Sequence, residues 1–279
     1  VLDLVVVAAP NRVHVPLARA AIAAGLPVVV DKPLAADAPS GRALVDEARA
    51  SGLMLTVFHN RRWDADLLTV RRLLAEGAVG RPVRFESRFD RWRPQVSETA
   101  WRERSDPEDA GGLLADLGSH LIDQAVLLFG PPISVRAELD RRRPGALVDD
   151  DVFVALTHRG GVRSHLGATM LAARPGPRMR LSGLRGVYEA RGLDGQEAAL
   201  RGGMRPGDPA FGVVAPSSWG VLADGATVRR VPSERGDYPA FYAGVAAALR
   251  DGGPPPVDPR DAVRVLEVID AARADAGWA

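Results

Sequence analysis

The sequence predicts an α/β protein, with a small doubly wound parallel sheet followed by an α+β part that contains a large, mostly antiparallel sheet. Two observations carry this prediction. Up to residue 58, apolar runs alternate with helical patterns across short turns, as in right-handed βαβ crossovers. Beyond that point, alternation with a period of two recurs in short segments, which is typical of antiparallel strands. We therefore expect two domains, 1–58 and 59–279.

The first part is predicted to run strand, helix, strand, helix, strand. The run 4–9 is apolar at nearly every position, as in a buried parallel strand, and Pro10 ends it. Small and apolar residues at helical spacing follow, and Gly25 stands where a helix C-cap is expected. The predicted strands cover 4–9, 26–30 and 53–58, and the predicted helices cover 12–24 and 38–50.

The second part is predicted to contain amphipathic helices and a series of strands. The helices are expected over 63–76, 112–129, 237–250 and 259–274. The strands are expected over 83–89, 134–140, 152–158, 162–170, 178–183 and 186–191. The stretch 192–235 is rich in Gly, Pro and Arg, so we expect a loop there with one short strand near 227–231.

Composition argues against several classes of function. The net charge is +1, and no basic block is interleaved with aromatic residues, so nucleic acid is not an expected partner. The sequence has no cysteine, which excludes thiolate catalysis and cysteine metal sites and suits a reducing compartment such as the cytoplasm. No apolar run reaches the roughly 20 residues needed to span a bilayer, so no membrane role is expected.

One lysine stands among the thirty-six Lys and Arg side chains of the chain, and it is Lys32. It follows an apolar run at the carboxyl end of a predicted strand, where open α/β sheets bind ligands. An ammonium group can take part in proton transfer near neutral pH, whereas a guanidinium cannot give up its proton. A lysine retained by chance is the plain alternative, but its position favours a functional residue.

Polar residues follow each of the three predicted parallel strands. Asn11 and His14 follow the first strand, Lys32 follows the second, and Asn60 and Arg61 follow the third. Because the carboxyl ends of parallel strands share one edge of the sheet, we expect these side chains to meet at one crevice. For Asn11, an ordinary turn or helix N-cap is the plain alternative.

Asp116 and His120 are four residues apart in a predicted helix. That spacing puts both side chains on one helix face, where a carboxylate would orient the imidazole and favour its protonated form, as in a proton shuttle. A solvated ion pair is the plain alternative. A metal site that adds Asp123 is another, but no further ligand follows at helical spacing, so we expect no metal.

No G-x-G-x-x-G turn follows any predicted strand. Dinucleotide-binding βαβ units begin with such a turn, which places the pyrophosphate at a helix N-terminus. The sequence therefore indicates either a protein that does not bind dinucleotides or a chain from which the segment that does so is missing.

These residues, in this order, resemble the Gfo/Idh/MocA family of nicotinamide-dependent sugar and polyol oxidoreductases. The matching motifs are Val5 through His14, Asp31-Lys32-Pro33, and Gly111 through Asp123. Within the family, four segments look like the subgroup of NADP-dependent scyllo-inositol dehydrogenases: 57–64, 91–94, 101–103 and 194–197. The resemblance runs from residue 1 to the end. It implies a partial Rossmann sheet that lacks its first strands, because family members begin with a strand, a Gly-rich turn and further strands before the point matched by Val1.

The resemblance implies hydride transfer between a secondary alcohol of a cyclitol or sugar, scyllo-inositol-like, and NADP or NAD. Lys32 and His120 would meet the reacting hydroxyl, and Asp116 would orient His120. The residues along the cofactor would be Pro10, Asn11, His14, Asp31 and Lys32. The residues approaching the polyol would be Asn60, Arg61, Arg93 and Trp101. It also implies a substrate-binding and oligomerisation domain over 59–279, a homo-oligomer formed through the antiparallel sheet, and a Lys32–Pro33 peptide bond that can be cis.

Two other hypotheses stay open. A chain without the Gly-rich turn could be a truncated, catalytically silent fragment or a binding scaffold of the same family. Less expected is a metal-dependent isomerase that uses Asp116 and His120.

Overall fold

The computed structural model describes residues 2–97 and 101–278, except for the side chain of Trp101. Within these residues the strands form two sheets, one parallel with three strands and one mixed with eight. The predicted fold class is confirmed.

The parallel sheet forms from the first three apolar runs. Its strands lie in the order β1-β2-β3, and helices α1 and α2 connect them. Val28, Val29 and Val30 are completely buried, which explains why this strand is apolar at every position rather than at alternate ones. The bounds are β1 (Val5–Val7), α1 (His14–Ala23), β2 (Val28–Asp31), α2 (Ala38–Ala50) and β3 (Leu55–Phe58).

The mixed sheet has the order β11-β10-β9-β8-β4-β7-β6-β5. Among these neighbours only β4 and β7 run parallel, and all the other pairs are antiparallel. The bounds are β4 (Pro82–Asp90), β5 (Pro132–Asp140), β6 (Asp151–His158), β7 (Arg163–Thr169), β8 (Met179–Gly183), β9 (Val187–Ala190), β10 (Val221–Ala223) and β11 (Val228–Arg230).

Helix α7 contacts both sheets, whereas α6 packs against the parallel sheet. Helix α6 packs through Phe241 and Val245 against Val29 of the parallel sheet, and α7 contacts α2, α4, β3 and β5. The end of the chain therefore returns to the first sheet, and the division into 1–58 and 59–279 stays a prediction. The bounds are α3 (Ala65–Ala75), α4 (Ser119–Phe129), α5 (Gln196–Arg201), α6 (Tyr238–Asp251) and α7 (Pro259–Asp275).

Three segments differ from the sequence prediction. The predicted helix 112–129 contains a π-helical turn, Leu114–Gly118, before α4 begins. The predicted helix 63–76 begins only at Ala65, after a 3₁₀ turn, Asn60–Trp63. The predicted loop 192–235 contains α5 and β10 in addition to the expected strand near 227–231. Both extra elements are short, and tertiary contacts rather than local periodicity stabilise them.

The stretch Pro107–Phe129 is long and apolar enough to cross a bilayer by length and composition alone. However, 78% of its most apolar window is buried inside the fold. The apolar character of this stretch is therefore explained by its place in the core.

A buried ion pair fixes the turn that follows β3. The Arg62 guanidinium donates through Nε and Nη2 to both carboxylate oxygens of Asp123 in α4, at 2.6–3.1 Å. It also donates to Asp261 in α7. Bidentate pairs of this kind combine strength with a fixed orientation, so this contact ties the edge of the parallel sheet to two helices.

We predict that Asp123→Ala lowers the free energy of unfolding by about 3–5 kcal/mol, because it leaves a buried guanidinium without its bidentate partner. Urea denaturation measures this change. Glu267→Ala is the matched control, because Glu267 pairs with Arg42 on an exposed helix surface and such pairs contribute at most about 1 kcal/mol. Equal losses in the two variants would show that the Arg62–Asp123 pair is not an anchor.

Candidate active site

A cavity of about 1240 Å³ lies at the carboxyl ends of β2 and β3. Asp31, Lys32 and Phe58 come from the strand ends, and Asp116 and His120 come from the π turn and α4. The predicted Asn60, Arg61 and Arg93 also line it. The predicted crevice is therefore present at the ends of the second and third strands but not of the first, and the lone lysine and the predicted histidine share it.

Lys32 is held by Asp116 at two points. Its Nζ donates to Oδ1 of the Asp116 carboxylate at 2.9 Å and to the Asp116 backbone oxygen at 2.6 Å. The side chain is only 12% exposed. The Lys32–Pro33 peptide bond is cis, as predicted.

The Asp116 carboxylate is the counter-ion of Lys32 and of Arg102. Burial acts to raise the pKa of Asp116, but the charge and hydrogen bond of Lys32 and the charge of Arg102 outweigh it, so that its pKa lies below the ordinary value. Arg102 donates from Nε to the same Oδ1 at 3.1 Å. Asp116 therefore stays ionised and fixes the position of the ammonium group.

His120 does not have the partner that the sequence predicted. Its Nδ1 is buried without a hydrogen-bond partner among the described residues, and its ring lies edge-on to Phe89 at 6.3 Å. Burial, followed by the charges of Lys32 and Arg61, lowers the pKa of His120 well below its ordinary value. The prediction that Asp116 orients His120 and favours the imidazolium is therefore wrong, and the imidazole is neutral near pH 7.

The π turn explains this error. The four-residue spacing argument assumed a regular α-helix, whereas Asp116 lies inside Leu114–Gly118, where hydrogen bonds run to the fifth residue. The rotation of Asp116 relative to His120 therefore changes, and its carboxylate meets Lys32. Asp123 accepts from Arg62 and Asp116 accepts from Lys32, so two of the three side chains considered as metal ligands are already paired with cations. Among the described residues no group of three or more His, Asp or Glu side chains could hold a metal ion.

The absence of a side chain at Gly112 lets the start of the π turn approach Asp149. Gly112 has φ of +90°, and a Cβ atom there would lie 2.1 Å from Asp149 Oδ1. The other oxygen of this carboxylate accepts from the backbone N–H of Leu114 at 2.6 Å, as an N-cap would. Burial raises the pKa of Asp149 to about 6.

Asn11 and His14, together with Pro10, do not line the cavity. The Asn11 amide donates to the backbone oxygen of Asp109 at 2.9 Å. Both ring nitrogens of His14 lie 2.8 Å from backbone oxygens, those of Pro33 and Ala9. These side chains organise the edge of the sheet, and their assignment to cofactor binding stays a prediction.

Arg61 lies deeper than a surface substrate contact would. Its guanidinium donates to Asp64 and to Glu197, at 3.1 and 3.2 Å, and lies 4.9 Å from the centre of the Phe89 ring. Asp64 also accepts from the Tyr238 hydroxyl at 2.8 Å. Burial and the nearby Asp66 raise the pKa of Asp64 to about 7. Trp101, also predicted as a substrate contact, has its side chain outside the described part of the chain.

The sequence prediction missed several residues of the cavity. Arg91 and Glu197 belong to motifs quoted for the subgroup, 91–94 and 194–197, but neither had been assigned a role. The acidic side chain of Asp194 accepts from the backbone of Ala65 and Gln196, which places α5 at the cavity. Tyr238, at the start of α6, gave no signal in the sequence. The cavity residues that had not been predicted include Arg91, Glu197, Tyr238 and Tyr242.

Two family descriptions match this chain. The first, "Oxidoreductase family, NAD-binding Rossmann fold", matches residues 1–59, and the second, "Oxidoreductase family, C-terminal alpha/beta domain", matches residues 71–276. The chain belongs to the Gfo/Idh/MocA oxidoreductase family. The family expected from the motifs is therefore confirmed, and so is its nucleotide-binding fold.

The relatives of this protein align with almost the whole length of the chain. The oxidoreductase YdgJ of Escherichia coli is 42% identical, over 96% of this chain and 77% of the relative. The scyllo-inositol 2-dehydrogenase (NADP(+)) IolW of Bacillus subtilis is 35% identical, over 97% of this chain and 76% of the relative. Among solved structures, the oxidoreductase YvaA of Bacillus subtilis has a TM-score of 0.92 at 33% identity, covering 99% of this chain and 80% of that protein. The YPO2259 oxidoreductase of Yersinia pestis has a TM-score of 0.91 at 40% identity, and the match covers 99% of this chain and 78% of that protein.

We predict that stability falls as the pH drops below about 6.5, in part because of His59 and His120. Burial lowers the pKa of both groups in the folded protein, so the unfolded chain binds the proton first and acid favours unfolding. Each such histidine contributes a slope of up to about 1.4 kcal/mol per pH unit. Urea denaturation between pH 5 and 7.5 measures the free energy of unfolding. Its slope against pH should be shallower for His59→Asn than for the wild type.

His165→Asn is the control for this measurement, because His165 is only partly buried and its replacement should change the slope less. Identical slopes for the wild type and His59→Asn would contradict a neutral, buried His59.

Proposed function

We propose that this family member is an NAD(P)-dependent dehydrogenase that oxidises a secondary alcohol of a cyclitol or sugar. The observation that carries the proposal is that Lys32 and His120 line one cavity. An ammonium and a neutral imidazole in one cavity can act on one hydroxyl group. A hydrogen-bond donor can stabilise the oxygen while a base removes its proton.

The residues around the cavity fit a nicotinamide cofactor. Asp31 and Lys32 end β2 at the cavity, which is where open α/β sheets bind nucleotides. The volume of the cavity is larger than that of an ordinary small-molecule pocket, about 300–1,000 Å³, so the nicotinamide ring and a substrate can both occupy it. The bound cofactor would accept the hydride, with Asp31 and Lys32 beside it and Pro10, Asn11 and His14 organising the sheet edge.

Within this proposal His120 accepts the hydroxyl proton. The imidazole is neutral near pH 7, as a base must be, because burial and the charges of Lys32 and Arg61 disfavour its protonated form. Lys32 hydrogen-bonds the same oxygen and stabilises the negative charge that develops there. Asp116 acts as a positioning residue for Lys32 through its two hydrogen bonds. General acid–base help of this kind typically accelerates a reaction by about 10²–10⁴-fold.

The substrate class rests on the polar groups of the cavity and on the named relatives. Asn60, Arg61 and Arg93 offer donors to hydroxyl groups, and Trp101 is proposed to join them. The relatives include IolW, named for scyllo-inositol and NADP(+), and a D-apiose dehydrogenase that is 28% identical. We infer a scyllo-inositol-like polyol as substrate and a preference for NADP over NAD.

The proposal extends to assembly and location. The outer face of the mixed sheet exposes apolar side chains at Phe153 and Ile133, 39% and 64% exposed, which supports a homo-oligomer formed through this sheet. A cytoplasmic location is the expected one for a cysteine-free enzyme that uses NAD(P).

We predict that Lys32→Arg and His120→Asn each lower kcat by about 10²-fold or more, because each removes a group that acts on the reacting hydroxyl. Lys32→Arg keeps the positive charge but removes the adjustable proton. Steady-state rates measure the effect, and Arg159→Gln, an exposed change outside the cavity, should leave kcat unchanged. Wild-type turnover by the Lys32→Arg enzyme would refute the assigned role.

We further predict that a panel of inositols and hexoses assayed with both cofactors gives turnover with a cyclitol or sugar and a lower KM for NADP than for NAD. Absorbance of the reduced nicotinamide at 340 nm measures it. NADPH fluorescence titration accompanies the assay. If no compound is oxidised and neither cofactor binds, the catalytically silent scaffold becomes the better explanation.

A further inference from the structure

Arg91 and Arg93 present two guanidinium groups to the cavity from one extended segment. The backbone N–H of Arg91 donates to the backbone oxygen of Thr169 at 2.9 Å, and that of Arg93 donates to the backbone oxygen of Met170 at 2.8 Å. Trp92 lies between them, is 57% exposed and forms an isolated antiparallel β-bridge with Leu171. Because side chains alternate along extended chain, Arg91 and Arg93 lie on the same side, and both line the cavity.

These two arginines differ from the other cations of the cavity. Lys32 and Arg102 pair with Asp116, Arg61 pairs with Asp64, and Arg143 pairs with Glu103. Arg201 pairs with Glu197. By contrast, neither guanidinium of Arg91 or Arg93 has a carboxylate or hydrogen-bond partner within residues 2–97 and 101–278. The cavity therefore holds positive charge that these residues do not balance.

The surroundings of Arg91 point the same way. Its side chain is half-buried, and burial lowers the pKa of Arg91. The charges of Asp116 and Glu197 act to raise this pKa, and the like charges of Arg93 and Arg61 act to lower it. Buried charges are normally paired. The segment itself is anchored, since the buried Arg143 donates to the backbone oxygens of Arg93 and Gln95.

We propose that the substrate of this site carries an anionic group, a carboxylate or a phosphate, and that Arg91 and Arg93 bind it. This inference rests on the proposed dehydrogenase function. Within the cyclitol and sugar class it replaces the neutral scyllo-inositol-like substrate with an acidic sugar or polyol. Guanidinium groups suit the task because their planar forks match the oxygens of carboxylate and phosphate.

The part of the cavity that holds Lys32 and the part that holds Arg91 and Arg93 belong to one continuous site. The charge of Arg91 acts on Asp116, the carboxylate that holds Lys32 at 2.9 Å. The acidic groups beside Arg91 are already committed, Asp116 to Lys32 and Glu197 to Arg61 and Arg201. A neutral polyol would leave both arginines without a counter-ion, whereas an acidic one would satisfy them.

The test compares three ligands that share one ring: D-glucose, D-glucuronate and D-glucose 6-phosphate. Calorimetric titration of the purified protein, with and without NADP, measures their affinities. We expect at least one anion to bind about tenfold or more tightly than glucose, the usual scale of one or two hydrogen bonds to a charged group. Preference for glucuronate indicates a sugar acid, and preference for glucose 6-phosphate indicates a phosphorylated substrate.

Two variants assign the effect to the residues. Arg91→Gln and Arg93→Gln should each weaken the binding of the anion far more than the binding of glucose, and the glucose binding that remains shows that the cavity is intact. Arg91→Lys should restore part of the preference because it keeps the charge. Arg159→Gln, a loss of the same charge on an exposed turn outside the cavity, should keep the wild-type preference.

The inference is overturned if glucose binds as tightly as both anions, if neither anion binds measurably, or if Arg91→Gln weakens all three ligands equally. The proposed function fails separately. An intact anion preference without turnover of any acidic or neutral compound would refute the dehydrogenase. Turnover of neutral polyols without an anion preference would refute the anion site alone.

Discussion

The contact between Lys32 and Asp116 is the interaction on which the site depends. It joins the end of β2 to the π turn before α4, two parts of the chain 84 residues apart. A half-buried ammonium needs a counter-ion, and Asp116 supplies both a carboxylate and a backbone oxygen. Because the second contact is to the backbone, the position of Nζ follows from the path of the π turn itself.

The charge of Lys32 has opposite effects on its two neighbours. It helps to lower the pKa of Asp116, which stays ionised, and after burial it is the next cause of the lowered pKa of His120, which stays neutral. Burial and this one cation together therefore leave an ionised carboxylate and a neutral imidazole in the same cavity. Active sites commonly separate acid and base roles by giving titratable groups different surroundings.

The sequence predicted the features that depend on local pattern and missed those that depend on tertiary contacts. The buried parallel strands and the lone lysine at a strand end follow from hydrophobic runs and sheet geometry, whereas the meeting of Lys32 with His120 followed only from the family resemblance. The π turn could not be predicted, because it depends on Gly112 fitting against Asp149 from a distant loop. The same limit applies to α5, which Asp194 and Gln196 hold against the start of α3 and α6, and to Arg91, whose significance lies in the absence of a partner among the described residues.

Whether a polar side chain is already engaged separates organising residues from functional ones better than its motif does. Asn11 and His14 look like ligand contacts in the sequence, yet their nitrogens meet backbone oxygens. Gln196 is likewise committed to Trp63 and Tyr238. Buried polar groups are nearly always satisfied. Exceptions also occur outside the cavity, on His59, Asp66, Asp109 and Arg178, so a missing partner is informative only for a residue that also lines the cavity. His120 Nδ1, which is buried without a partner among the described residues, and the two arginines that lack a counter-ion there all belong to residues of the cavity. Under the proposed function, these are the groups of the cavity left for a substrate.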